Sequence, residues 1–157
     1  MRIALFYIAL AGLLLTACGP SYVFEERLEV ADVGWAYADS LVTEFTVTDT
    51  VSLHNLHLTV DHTDGFPYQN FYVLIHTTFP DGQRRSEQVS LELAGKGGVW
   101  LGDCSGAECH LSIPIQKEVF FAQTGPYRVV IQQHSRRNPL PEVRSVGLAL
   151  EQTAAKR

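Results

Sequence analysis

The sequence predicts an all-β fold: an antiparallel β-sandwich in one domain, preceded by a cleaved signal peptide. Three observations point there. Past Gly19 the apolar residues recur with period two and not with the helical period of about 3.6. The alternating runs are short, and each is closed by glycine- or proline-containing turn signals. A chain of 157 residues is long enough for one sizeable core and too short to suggest two.

The leader comes first. Met1 and Arg2 make a short positive start, and residues 3–17 are uncharged and mostly apolar. A membrane-spanning helix needs ~20 apolar residues to cross ~30 Å of hydrocarbon. Here Gly19-Pro20 ends the run sooner, so residues 1–17 read as an export signal. Leu15-Thr16-Ala17-Cys18 fits a bacterial lipobox, which makes Cys18 the expected lipidation site. That covalent lipid is the only attached group expected; no cofactor and no metal is implied. The remaining divisions are a lipidated N-terminus and short tether at 18–24, the sandwich at 25–152 and a C-terminal tail at 153–157.

Within the sandwich, residues 31–40 suggest a lead-in with a helical turn around Trp35 and Tyr37. Leu56, Leu58 and Val60 alternate with His57 and Thr59; Val89, Leu91 and Leu93 alternate with Ser90 and Glu92; Val146, Leu148 and Leu150 repeat the pattern. These are half-buried strands. Apolar parity changes between Leu53 and Leu56, so a bulge is expected near His54-Asn55. Residues 71–75 are apolar on both parities, which suggests a central strand covered on both faces. Turns are expected at Asp64-Gly65, Pro80-Asp81-Gly82, residues 95–98, Gly125-Pro126 and residues 138–141. Two sheets packed face to face bury so many one-sided strands most simply.

Charge and cysteines narrow the function classes. The net charge is −5, and Arg2 is the one charge in the leader, so the mature chain is more acidic still. Basic residues cluster only as Arg84-Arg85 and Arg136-Arg137, too few to neutralise a nucleic-acid backbone. With Cys18 acylated, Cys104 and Cys109 remain as an even pair in an exported chain and are expected to form a disulfide. A zinc site built on them and His110 lacks a second ligand pair at metal spacing.

No local catalytic signature is present: no Gly-x-Ser-x-Gly elbow, no His-Glu-x-x-His and no phosphate-cradling loop. The histidines read as satisfied surface residues. Among the aromatics, Tyr68 with Trp35, Tyr37 and Trp100 would stack on sugar rings if exposed, or pack in turns and core if not. Arg136 follows a strand ending near Gln133 and precedes Pro139 and Pro141, whose fixed φ stiffens the loop. Such an arginine holds a carboxylate bidentately, either within its own domain or on a partner.

The lipobox leader, Trp35 followed by Phe45 and Asp49, and the segments HTDGFPYQNFYVLIHTTFPDG (62–82), GVWLGD (98–103) and GPYRVVIQQHSRRNPLPEVRSVGLALE (125–151) together resemble the GldH family of gliding-motility lipoproteins of Bacteroidetes. The resemblance is carried most by Pro67-Tyr68-x-Asn70, Pro80-Asp81-Gly82, Trp100-Leu101-Gly102, Gly125 with Tyr127, and Arg136. This sequence departs from the family at His62, near which arginine is frequent, at Glu142, near which glycine is frequent, and in the Cys104–Cys109 pair. The resemblance implies an envelope lipoprotein needed for gliding and for the linked type IX secretion pathway, with no reaction to carry over. It implies partners among other gliding lipoproteins or secretion subunits, and Arg136, Tyr68 and Asn70 are the candidate partner-binding residues. A carbohydrate- or peptidoglycan-binding module is the alternative. No acidic cluster directly follows Cys18, so the expected location is the periplasmic face of the outer membrane.

Overall fold

The computed structural model describes residues 21–157; the leader at 1–17 and Cys18 lie outside the described residues. Nine strands follow in chain order: β1 (Tyr22–Glu29), β2 (Leu41–Val47), β3 (Ser52–Thr63), β4 (Asn70–Thr78), β5 (Arg84–Glu92), β6 (Asp103–Ser105), β7 (Glu108–Val119), β8 (Gly125–Gln133) and β9 (Val143–Lys156). They form a five-stranded sheet in the order β1-β9-β3-β7-β6 and a four-stranded sheet in the order β2-β8-β4-β5. Every pairing is antiparallel. The expected β-sandwich is therefore the observed fold.

Alternation places the core. Leu58 and Val60 of β3, Val146, Leu148 and Leu150 of β9, Phe71, Val73 and Ile75 of β4, and Tyr127, Val129 and Ile131 of β8 meet between the sheets. Burying each such side chain contributes about 1.5–3 kcal/mol relative to leaving it in water. The register of β3 slips against both neighbours around His54, which is the bulge expected there. Ser52, His54, Leu56 and Leu58 all stay on the core side through it, so the apolar change of parity comes from His54 taking a core position while Leu53 points outward.

The sandwich has two ends, each held by aromatic packing. At the end where the chain enters β1, Phe45 stacks on Tyr127 at 5.5 Å, and Phe24, Phe79 and Phe121 surround that pair. Tyr127 also donates its hydroxyl to the Gln123 carbonyl at 3.0 Å, a tyrosine corner that fixes the β7–β8 connection. At the far end Trp35 and Phe66 pack on Phe71, and Trp100 lies over His62 at 4.7 Å.

Several expectations are corrected. Residues 31–40 form turns and a single bridge at Trp35, with no helical turn; the indole is fully buried and donates to the Asp39 carbonyl at 2.7 Å. Residues 71–75 do lie mid-sheet, but β4 is covered on one face only, leaving Tyr72 exposed and Leu74 half-buried on the outside. No layer packs on that side of the four-stranded sheet among the described residues. Two histidines are core residues and not surface ones: His62 is fully buried and His54 nearly so. The Nδ1 of His62 lies 2.8 Å from the Thr63 carbonyl, which can only accept, so that nitrogen donates and Nε2 is buried without a partner among the described residues.

The boundaries also shift. Strand β1 already begins at Tyr22, inside the expected tether, and β9 runs through the expected tail to Lys156. What holds the tail is β3: Ser52 pairs with Lys156, and the Thr153 hydroxyl donates to the Leu53 carbonyl at 3.0 Å. Cys104 and Cys109 are joined by a disulfide across the β6–β7 hairpin. Glu142 holds φ at 63°, the left-handed region that glycine enters freely. That is a backbone reason for the glycine that the resemblance leads one to expect near this place.

Candidate functional site

Two shallow depressions lie side by side at the far end, on the uncovered face of the four-stranded sheet. The larger, of about 550 Å³, is lined by Tyr68, Asn70, Tyr72, Gln88 and residues 134–137. The smaller, of about 510 Å³, is lined by Tyr37, Leu74, Gln132, Gln133 and residues 134–136. Arg136 lines both. The three candidate residues of the sequence, Arg136, Tyr68 and Asn70, thus come together around one cavity.

The β8–β9 loop that carries Arg136 is fixed from three sides. From β4, the Tyr72 amide donates to Ser135 Oγ at 3.1 Å, and the His134 amide donates to the Tyr72 carbonyl at 2.7 Å. From below, the nearly buried Gln133 amide clamps the loop on itself: its Oε1 accepts from the Ser135 amide at 2.9 Å and its Nε2 donates to the Arg137 carbonyl at 3.1 Å. From the β1–β2 connection, Tyr37 donates its amide to Asn138 Oδ1 at 2.9 Å and its hydroxyl to the Ser135 carbonyl. Trp35 completes the frame by exchanging backbone hydrogen bonds with Leu140. A loop held this way keeps its side chains aimed without further ordering cost on binding.

Charge in the cleft runs against the chain as a whole. Neither depression has an aspartate or glutamate in its lining. Among the described residues, no carboxylate lies within ion-pair distance of Arg136 or Arg137. Two guanidinium groups therefore stand free beside Tyr68 and Tyr72, each about two-fifths exposed, in a protein of net charge −5. The internal pairing considered for Arg136 is absent from this arrangement, which leaves it able to receive an outside carboxylate. Asn70 is engaged with Ser90 Oγ at 3.2 Å and shapes the rim.

Polar groups gather in a second place, the outer face of the five-stranded sheet. Ser112 Oγ lies 3.3 Å from His57 Nδ1, and His57 Nε2 lies 3.2 Å from Glu151 Oε2. The order is that of a nucleophilic hydrolase, but the geometry is not. The residues stand on a flat strand face whose amides serve the ladder, and among the described residues no pair of N–H donors converges where an oxyanion would form. Asn55, bonding Glu151 at 2.9 Å, and then His57 hold that carboxyl below the usual range against a smaller opposing effect of burial. Nearby, Asp61 accepts from Ser145 and lies 2.7 Å from His110 and 3.2 Å from Arg27. Partial burial opposes its ionisation, yet these partners outweigh burial and lower its pKa. Both clusters cross-link neighbouring strands. No group of three or more potential ligands is placed to hold a metal ion among the described residues.

The sequence signalled Arg136, Tyr68 and Asn70 through loop rigidity and motif. It did not signal Tyr72, because nothing local tells which parity of β4 lies open, nor His134, which reaches the cleft through its backbone bond to Tyr72.

Comparison with known proteins agrees with the resemblance read from the sequence. The profile of the GldH lipoprotein family matches residues 22–150. A protein of Christiangramia forsetii named gliding motility lipoprotein GldH homolog is 26% identical over 127 residues, covering 80% of this chain and 76% of its own. Among solved structures, a fructofuranosidase of Schwanniomyces occidentalis complexed with fructosylnystose is 11% identical with a TM-score of 0.37, over 87% of this chain and 35% of that enzyme. At that score the likeness carries nothing over. The family match spans all of the described residues but the first one and the last seven, and on that match the chain belongs to the GldH lipoprotein family.

Proposed function

We propose that this protein is a lipid-anchored structural or assembly component of the gliding-motility apparatus and of the linked type IX secretion machinery. It acts by binding other envelope proteins at its far-end cleft. The observation that carries the reading is the pair of free arginines on a clamped loop, set among exposed tyrosines with no carboxylate in the lining. Tyrosine and arginine are the residue types that dominate binding energy at protein interfaces, and a planar guanidinium fork matches a carboxylate on the partner. Membership of the family and the name of the Christiangramia relative support the gliding context. A lipid on Cys18 would confine the domain to one membrane, where the effective concentration of partners reaches the millimolar scale and weak contacts suffice. We place the domain at the outer membrane, on its periplasmic face, with no enzymatic reaction.

Deleting the gene should abolish spreading, and the intact gene should restore it. Arg136→Ala/Arg137→Ala should be made at normal level yet fail to restore spreading or to retain secretion subunits and gliding lipoproteins in pull-down. Full rescue by the double variant would overturn the assignment of the cleft. Protease shaving of intact cells tests the face, since a surface domain is digested before the envelope is broken.

The exposed rings of Tyr37, Tyr68 and Tyr72 favour a second reading, stacking on a glycan or on peptidoglycan strands. Sedimentation of the mature protein with purified peptidoglycan separates the two, for a protein-binding cleft leaves it in the supernatant.

A further inference from the structure

We propose that the entry end of the sandwich rests on a phospholipid surface, with Phe120 and Val51 seated in the headgroup layer and Arg157 reaching the phosphates. The proposal rests on lipidation of Cys18. Its first support is reach. Ser21 is already fixed to the sandwich, its carbonyl accepting from the Gln152 amide at 3.0 Å, and Tyr22 opposite Glu151 begins β1. Only Gly19 and Pro20 separate Cys18 from Ser21, three residue steps that span at most about 11 Å as extended chain. Whatever lies beside Ser21 is therefore held within roughly that distance of the acyl chains.

The second support is what shares this end of the sandwich, past Gln152 and across the sheet from β1. The start of β3, the end of β9 and the end of β7 meet at this end, with Ser52 opposite Lys156 and His54 opposite Val119. Val51 is 50% exposed and Phe120 is 44% exposed, while the neighbouring Phe121 turns inward onto Phe45 and Tyr127. Arg157 joins the two exposed side chains: its amide donates to the Val51 carbonyl at 2.9 Å and its guanidinium lies 4.3 Å above the Phe120 ring. An aromatic ring at headgroup depth with a cation beside it is how proteins commonly sit at a bilayer interface. Lys156 and Lys117 add positive charge. Asp49, Asp81 and Glu118 share this end and offset that charge, for the hydrogen bonds Asp49 takes from Ser52 and Val51, and Asp81 from Gln123 and Gln83, hold both carboxylates ionised. Apolar insertion and the tether, more than net charge, thus define the occupant as a lipid surface.

Apolar residues are also exposed at the far end, Val33 and Val99 among them. They stand off by the length of β9, whose 14 residues at ~3.3 Å each extend about 45 Å. The anchor cannot bring them to its own membrane without tipping the sandwich over.

The test uses the full lipidated protein, extracted from membranes and reconstituted into vesicles of phosphatidylethanolamine with a minor share of phosphatidylglycerol. Cys18 is blocked by its lipid and the other cysteines by their disulfide, so Phe120→Cys, Val51→Cys and Val99→Cys each take a single nitroxide label. We expect flotation with the vesicles, and labels from Phe120→Cys and Val51→Cys several-fold less accessible to an aqueous nickel chelate, and more accessible to oxygen, than that from Val99→Cys. Flotation with all three labels equally aqueous would overturn the docking while leaving the anchor intact. Failure to float would remove the anchor and the docking with it.

Discussion

Trp35 and Leu140 are 105 residues apart in the chain and exchange both backbone hydrogen bonds at 2.9 Å, each with its side chain fully buried. This bridge ties the β1–β2 connection to the loop that carries Arg136. Trp35→Ala should cost about 3–5 kcal/mol, the range for emptying a buried aromatic site. Denaturant unfolding reads the loss, and the neighbouring Gly34→Ala should also destabilise, because a Cβ there would stand 2.8 Å from the Leu140 carbonyl oxygen at a φ of 102°.

Arg136→Lys separates fold from function. With no internal carboxylate at hand, its stability should stay within about 0.5 kcal/mol of the parent, as for ordinary surface changes. Partner retention should fall, because an ammonium cannot reproduce the planar fork. A melting temperature lowered by several degrees would show that the guanidinium serves the domain itself.

Acid stability should depend on Asp61. Its pKa is lowered in the folded protein, so the unfolded chain binds the proton more readily and stability falls as pH falls. The contribution is complete above the unfolded value of about 3.9 and is lost as pH drops through the lower folded value. Asp61→Asn should flatten that acid limb of the stability profile while leaving one partner, Arg27, exposed to solvent. An unchanged limb, followed by thermal melts across acidic buffers, would contradict this.

Gly147 sits in β9 between Arg27 and Thr59 of the flanking strands. A Cβ there would collide with Thr59 Oγ1 and stand 2.6 Å from the Glu26 carbonyl oxygen. Gly147→Ala should destabilise by about 1–3 kcal/mol or more, the usual cost of overpacking. Adding Thr59→Ala should recover only part of it, because the Glu26 backbone stays in place.

Reduction of the Cys104–Cys109 bridge should be mild. It closes a loop with a sequence separation of 5, for which chain entropy suggests about 2 kcal/mol. Melts with and without reductant should differ by that order, with the far-end cleft still able to bind.

What the sequence made legible was whatever short-range pattern encodes. Leu56, Leu58 and Val60 alternate because one face of β3 is wet, whereas the break in apolar parity at Leu53 reflects a buried histidine, His54, in a core position. Residues 71–75 carry no such signal: Tyr72 and Leu74 are as apolar as the core residues between them, and they stand open because no layer among the described residues covers that side of the sheet. His62 is buried because Trp100, distant in sequence, closes over it. The end of β9 lacks strand-like residues and is strand because β3 pairs with it. In the cleft, Arg136, Tyr68 and Asn70 were readable as types in rigid surroundings, whereas their convergence is a product of topology.

The pairing of β1 with β9 has a mechanical consequence. β1 starts beside the membrane tether and β9 starts beside the far-end loop, and the two run antiparallel from Tyr22 opposite Glu151 to Glu29 opposite Ser145. Tension entering at the loop and leaving through Ser21 pulls these strands lengthwise past each other. Their hydrogen bonds lie perpendicular to that pull, so all of them share the strain at once and none can be peeled apart singly. A domain strung this way between a partner and a bilayer yields in shear, the direction in which a β-ladder is hardest to open.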